Sequence, residues 1–243
     1  TSGVTAAVAD DIGGYRYVLG ETGDSGFKSA YDAPFGGSTT LLADLGAFEA
    51  IQTSLNRAQS ISEVALAAGE SISDLLVQMR GKATAAQDPS IDTFTRSAYD
   101  ADFKALLDQL QVVLANASFD GANLLNGTDT PGIEFLSDAD ATRTITLKSQ
   151  NLTLSGPNIT LSASASLGTA TLAAGVVSQL QESLDGVNQA LANIGSDFKK
   201  VESHSIFVDK LMDTLTVGVG NLVDADLAVE SARLQALQVK QQL

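Results

Sequence analysis

Leu180-Gln-Glu-Ser-Leu184-Asp-Gly-Val187-Asn-Gln-Ala-Leu191-Ala-Asn-Ile194-Gly-Ser-Asp-Phe198-Lys-Lys-Val201-Glu-Ser-His-Ser205-Ile-Phe-Val208 is the stretch on which the fold turns. Leu180, Val187, Ile194, Val201 and Val208 stand seven apart, and the file continues through Leu215 to Leu222. A second file, Leu184, Leu191, Phe198, Ser205, Met212 and Val219, keeps the same spacing four residues later. Two apolar files offset by four and three residues are the seam positions of a heptad-patterned helix, because each heptad returns both to one face. At about 1.5 Å per residue, a helix over 177–222 spans roughly 70 Å. The spacing therefore predicts a mainly α chain: an elongated rod of long antiparallel heptad-patterned helices, with a short-stranded antiparallel β-hairpin or sheet region at one end.

The first half carries partners for that helix. Ile51, Ala58, Ala65, Ile72, Met79 and Ala86 are again seven apart, flanked by Leu55, Ile61, Ala68, Leu75 and Leu76. Many of these positions are Ala, which lets a neighbouring helix approach closely. Pro89 ends the pattern, since proline disfavours helical conformation in the residue before it. A second helix is predicted over about 92–117, with Phe103, Leu106, Leu107, Leu110, Val113 and Leu114 on one face. So short a connection makes the pair antiparallel.

Two regions break the helical register. Residues 119–170 contain turn signals at Asp120-Gly121, Asn126-Gly127, Pro131-Gly132 and Gly156-Pro157. Ile145-Thr146-Leu147, Leu152-Thr153-Leu154 and Ile159-Thr160-Leu161 alternate apolar and polar, the period of half-buried strands, and predict a small sheet capping the helices. Residues 1–48 are dense in glycine, which favours loops and short strands; Tyr15–Leu19 is one candidate strand, and a helix is expected to start within Thr39–Glu49. The predicted organisation is thus a Gly-rich segment at 1–48, a helix pair at 49–118, a β region at 119–170, a long helix at 171–222 and a further helix beginning at 223–243.

Composition narrows the function. The 243 residues hold 29 acidic and 14 basic side chains, a formal net charge of −15. That sign opposes the electrostatic attraction on which binding to nucleic acid or an anionic membrane depends. No apolar run approaches the ~20 residues of a membrane-spanning helix, so no membrane insertion is expected. Cysteine is absent and His204 is the single histidine, which excludes disulfides and thiolate metal sites and leaves little for metal chemistry. Glu202 and Asp209 do not lie three or four residues from His204, so neither is placed beside it on a helix as a catalytic partner. Gly20-Glu-Thr-Gly-Asp-Ser-Gly26 lacks the Lys-Ser/Thr of a phosphate loop. Asp10-Asp11, Asp138 with Asp140, and Asp224 with Asp226 do not continue into a Ca²⁺-binding loop pattern. No cofactor is expected; if Ca²⁺ binds, its place is the first 36 residues, with Asp10, Asp11, Glu21, Asp24 and Asp32. The chain is expected not to be an enzyme.

A resemblance becomes specific at the chain's end. Residues 220–243, Gly-Asn-Leu-Val-Asp-Ala-Asp-Leu-Ala-Val-Glu-Ser-Ala-Arg-Leu-Gln-Ala-Leu-Gln-Val-Lys-Gln-Gln-Leu, resemble the C-terminal region of bacterial flagellin. Upstream, Asn116-Ala-Ser-Phe-Asp-Gly-Ala-Asn-Leu-Leu-Asn-Gly127 is similar to the family's Phe-Asn-Gly-x-x-Leu-Leu turn between the N-terminal helices and the β-hairpin. The resemblance implies a secreted structural subunit that polymerises with other flagellin subunits into the extracellular filament, exported unfolded by the flagellar apparatus with its chaperone. It also implies an apolar helix before Thr1 and a final stretch after Leu243, so the expectation is an assembly-incompetent core that remains monomeric. Leu76-Val-Gln-Met-Arg-Gly-Lys82 shares only Leu76 and Arg80 with the immune-receptor motif Leu-Gln-Arg-Val-Arg-Glu-Leu of enteric flagellins, so that activity is not expected to carry over.

Two functional expectations follow. In the structural one, the residues that carry function are the seam: Leu180, Leu184, Val187, Leu191, Ile194, Phe198, Val201, Val208, Met212, Leu215 and Leu222, against Ile51, Ile72, Leu76 and Met79. In the alternative, a flagellin homologue on the cell surface binds an extracellular ligand such as a polysaccharide, with Tyr15, Tyr17, Phe27, Tyr31 and Phe35 as stacking rings.

Overall fold

The structure is a computed structural model that describes residues 7–10, 16–19 and 25–242. The element order is β1 (Ala7–Asp10), β2 (Arg16–Leu19), α1 (Ser25–Ala86), α2 (Thr93–Asn116), β3 (Gly132–Leu136), β4 (Thr144–Lys148) and α3 (Ala170–Gln242). The chain divides into two compact units, Phe48–Lys210 and Thr1–Ala47 with Leu211–Leu243.

The unit Phe48–Lys210 holds the core. Its first helix buries the predicted file, with Ile51, Leu55, Ala58, Ala65, Ile72, Leu76, Met79 and Ala86 almost wholly out of solvent. The turn that follows is built by three devices. Gln87 N–H and Asp88 N–H donate to Thr84 and Ala85 carbonyls, tightening the last turn of α1. Asp92 caps α2, its carboxylate accepting the Thr95 N–H at 2.6 Å. The guanidinium of Arg96, nearly buried, donates to the carbonyls of Ala86 and Asp88, placing a cation on the negative end of α1.

Cross-helix contacts fix the antiparallel order. Lys82 pairs with Asp102 and Arg57 with Asp120, so α2 runs back along α1. Gln52 Nε2 donates to Ser205 Oγ at 2.6 Å, Gly69 faces Leu191, and Arg80 donates to Gln181 Oε1 at 2.7 Å. The partner's number falls as α1 advances, so α3 is antiparallel to α1 over 52–80, a paired length of about 42 Å. Gly69 permits a close approach of Leu191: a Cβ there would lie 2.6 Å from Leu191 Cδ2.

β3 and β4 pair antiparallel with Gly132 opposite Lys148 and Leu136 opposite Thr144, and Phe135 and Leu147 turn inward. The hairpin loop closes on Asp138, whose carboxylate accepts from Thr142 N–H, Thr142 Oγ1 and Arg143 N–H. Those hydrogen bonds, from the Thr142 hydroxyl first and then the Arg143 amide, hold the Asp138 carboxyl below its ordinary pKa.

Several expectations are corrected here. Only the first Ile/Leu-Thr-Leu triplet lies in a strand; Leu154 and Ile159 make an isolated bridge, and residues 151–161 form turns instead. Asn151 Oδ1 accepts from both Thr153 N–H and Thr153 Oγ1, and Asn158 Nδ2 donates to the Asn151 carbonyl, so side chains compete with a ladder for the backbone. The alternation reported burial correctly, since Leu152, Ile159 and Leu161 are inaccessible, but not pairing. The β region also does more than cap an end. Thr160 bonds the Gln179 carbonyl, Gln150 meets Asn193, Lys148 N–H meets Asp197, and the Ser137 carbonyl meets His204. Residues 137–160 thus lie along the flank of α3.

The unit Thr1–Ala47 with Leu211–Leu243 contains the β1–β2 pair, antiparallel with Ala7 opposite Leu19, the first turns of α1 and the last turns of α3. Helix α1 starts at Ser25 and not within Thr39–Glu49; it runs through Pro34 and Gly36-Gly37, whose intrinsic penalties are a weak prior that context overrides. Helix α3 continues without a break past Leu222 to Gln242.

Candidate assembly surfaces

The seam is buried where α1 covers it. Leu180, Leu184, Val187, Ile194, Val201 and Val208 are buried, with Leu191 and Phe198 half-buried beside them. Beyond Val208 the file persists in sequence but not in burial: Met212 and Leu215 are half-exposed and Leu222 is 46% exposed. A heptad states which face is apolar, not whether a partner covers it. Val217, Val223, Val229, Leu234 and Val239 are likewise exposed along this end of α3.

A third file was not read from the sequence. Val176, Ser183, Ala190 and Asp197 are also seven apart and buried, and Asp197 meets the β region through the Lys148 N–H. Their small or polar character hid them from an apolar count. Ser183 satisfies its hydroxyl on the Gln179 carbonyl at 2.7 Å. Asp197, 4% exposed, accepts the Lys148 N–H at 3.2 Å and the Lys200 ammonium at 2.7 Å. A buried carboxylate demands such partners. Gly186 allows the backbone of Asn158 to sit where a Cβ would otherwise stand.

His204 has a structural role here. Its Nε2 meets the Ser137 carbonyl at 2.7 Å; a carbonyl only accepts, so Nε2 carries the proton. The ring lies 5.9 Å from that of Phe207, centroid to centroid. Asp197 and His204, seven residues apart, thus pin β4 and the residue after β3 onto α3.

Asp100 ties the start of α2 to the approach to α3. Its carboxylate accepts from Ser166 Oγ at 2.9 Å and Leu167 N–H at 2.6 Å, and pairs with Lys104 at 2.7 Å. Burial pushes its pKa up, but the Lys104 contact and the two hydrogen bonds outweigh that and hold it below the ordinary value.

Among the described residues no group of three or more His, Asp or Glu side chains converges to hold a metal, and no helix is long and apolar enough to cross a membrane. Of the Ca²⁺ candidates, Asp11, Glu21 and Asp24 lie outside the described residues; Asp10 is in β1 and Asp32 in α1, and their side chains lie outside them too. Of the stacking candidates, Tyr15 lies outside the described residues. Tyr17 belongs to β2, and Phe27, Tyr31 and Phe35 to α1, with side chains outside the described set.

Comparison with known proteins identifies the architecture. A family model described as the bacterial flagellin N-terminal helical region matches residues 25–130. Flagellin FljJ of Caulobacter vibrioides is 54% identical over 176 residues, 72% of this chain and 64% of the relative. Flagellin FljM of the same organism is 43% identical over 202 residues, 83% of this chain and 72% of FljM. The chain therefore spans somewhat under two thirds of FljJ's length. The crystal structure of Bacillus cereus flagellin superposes with a TM-score of 0.55 at 26% identity, covering 63% of this chain and 87% of that one. A putative flagellar hook-associated protein from Vibrio parahaemolyticus shares the fold at 13% identity, with a TM-score of 0.61 over 82% of this chain and 98% of its own. Helices that pair antiparallel, the hairpin laid along α3 and relatives of this identity lead to one assignment: the chain belongs to the bacterial flagellin family.

Proposed function

We propose that this chain is a structural subunit of the flagellar filament, acting in motility by assembly with other flagellin subunits outside the cell. The observation that carries this reading is the 43% identity to FljM over 72% of that protein's length. The unit Phe48–Lys210 supports it, since its aliphatic core and pinned hairpin leave exposed helix faces for contacts with other subunits. Export through the flagellar apparatus with a chaperone belongs to the same reading. The relatives give no support to the alternative of an external polysaccharide ligand.

Filaments sheared from cells that express the chain test this directly. Peptides of residues 119–170 are expected among the filament's major components by mass spectrometry, and an antibody to that region should decorate filaments along their length. Intact, motile filaments without the peptides or the label would overturn the reading.

A further inference from the structure

The α3 face beside the hairpin carries an open groove lined by Ser196, Lys199, Lys200, Ser203, His204 and Phe207. Phe207 is 57% exposed and Ile206, next to it, 49%. Two of the six lining residues, Lys199 and Lys200, carry positive charge and none is acidic, in a chain whose acidic residues outnumber its Lys and Arg 29 to 14. Glu202 and Asp209 are close in sequence but do not line the groove. Lys200 is held by Asp197 beneath it; Lys199 has no ion-pair partner among the described residues.

The complementary surface is on the same unit. Glu63, Ala67, Glu70, Asp74 and Val77 are all exposed on α1 and advance by alternate steps of four and three, which places them in one row along the helix. That row spans about 21 Å and the groove about 16 Å, both at 1.5 Å per residue. It carries three carboxylates and an exposed Val77, against a groove that offers cations and an exposed Phe207. Within one copy the two cannot meet, because α1 packs on α3 through the opposite, buried face at Gly69, Ile72 and Met79.

We infer that the α3 groove of one copy seats the acidic row of α1 from a second copy. This rests on the filament reading and adds a named contact to it. The interface is heterologous, two different patches meeting, so its repetition generates an open polymer and not a closed dimer. Exposed ion pairs contribute little affinity by themselves and set orientation, while Phe207 with Ile206 supplies the desolvated anchor.

Absence of cysteine from the sequence makes the test clean. Ser203→Cys is combined in turn with Ala67→Cys, Glu70→Cys and Asp74→Cys in the filament-forming protein, and sheared filaments are treated with a short bismaleimide. At least one pair should give a ladder of covalent oligomers, whereas Ser203→Cys alone and Ser203→Cys with Asp108→Cys on the exposed side of α2 should give none. Filaments that contain the chain but give no ladder from any of the three pairs, or an equal ladder from the control pair, overturn this contact and leave the filament reading standing. Absence of the chain from filaments overturns both. As a second measure, Lys199→Glu should shorten filaments several-fold, and Glu63→Lys with Glu70→Lys and Asp74→Lys should restore them; a folded Lys199→Glu chain that forms normal filaments contradicts the assignment.

Discussion

Replacing glycine by alanine at two positions of α3 should change stability in opposite directions. Alanine is favoured over glycine in a helix interior by about 1 kcal/mol. At Gly195 a Cβ meets nothing within 4 Å, so Gly195→Ala should realise that gain, about 0.5–1 kcal/mol. At Gly186 the new Cβ collides with the carbonyl oxygen of Asn158, and the carbonyl carbon and Cα behind it are also within contact distance. That backbone cannot turn aside as a side chain does: Asn158 Nδ2 donates to the Asn151 carbonyl at 2.9 Å, Gly156 N–H donates to the Ile159 carbonyl at 3.0 Å, and Ile159 is fully buried. Overpacking typically costs about 1–3 kcal/mol, and a clash with fixed backbone falls in the upper part of that range, about 2–3 kcal/mol, so after the propensity gain of about 1 kcal/mol Gly186→Ala should lose about 1–2 kcal/mol. Gly69 lies between them, since its neighbour is the movable end of Leu191, and Gly69→Ala should be near neutral. Denaturant titration and thermal melting followed by far-ultraviolet circular dichroism measure all three, with Tm moving about 2–4 °C per kcal/mol. A Gly186→Ala chain at least as stable as the parent would refute the placement of the β region along α3. A loss at Gly195 equal to that at Gly186 would refute it as well.

Ile194→Asp or Val201→Asp should abolish the cooperative transition of the unit Phe48–Lys210, because each puts an unpaired carboxylate into the seam at a cost of several kcal/mol; unchanged helicity and melting would contradict it. Asp100 makes stability depend on acidity. Its folded pKa lies below the unfolded value, so its contribution is fully present above the ordinary carboxylate range and is lost as pH falls through the lowered value. Asp100→Asn should therefore reduce stability at neutral pH and flatten the acid limb of a Tm-against-pH curve; parallel curves would count against it. His204→Ala should leave global melting little changed while speeding amide exchange through the hairpin loop 137–143, which loses its tie to α3. Unaltered exchange there would show that the histidine is not what holds the loop.

The long helices were legible because their signal is a period repeated many times, and Leu180 through Val208 bury as their spacing says. The turn at Pro89 and the antiparallel return of α2 were legible from one residue and a short connection. The β region was harder. Gly132–Leu136 is one five-residue strand with no repeat to announce it, and the triplets starting at Leu152 and Ile159 share the alternation of strands while Asn151 and Asn158 hold the backbone in turns. The surfaces were least legible. Asp197 and Ser183 sit in a buried file of α3 although an apolar count passes over them, and the groove is lined along one α3 face by residues of mixed character that no apolar period groups. Leu222 shows the converse, an apolar seam position that remains exposed.

Cryo-electron microscopy of filaments from cells expressing the chain, at side-chain resolution, tests the central claim most directly. The expected subunit has α2 and α3 both antiparallel to α1, Gly69 facing Leu191, and Lys148 and Ser137 resting on Asp197 and His204. A filament built from this chain with its hairpin lifted from α3 or its helices in another register would contradict it.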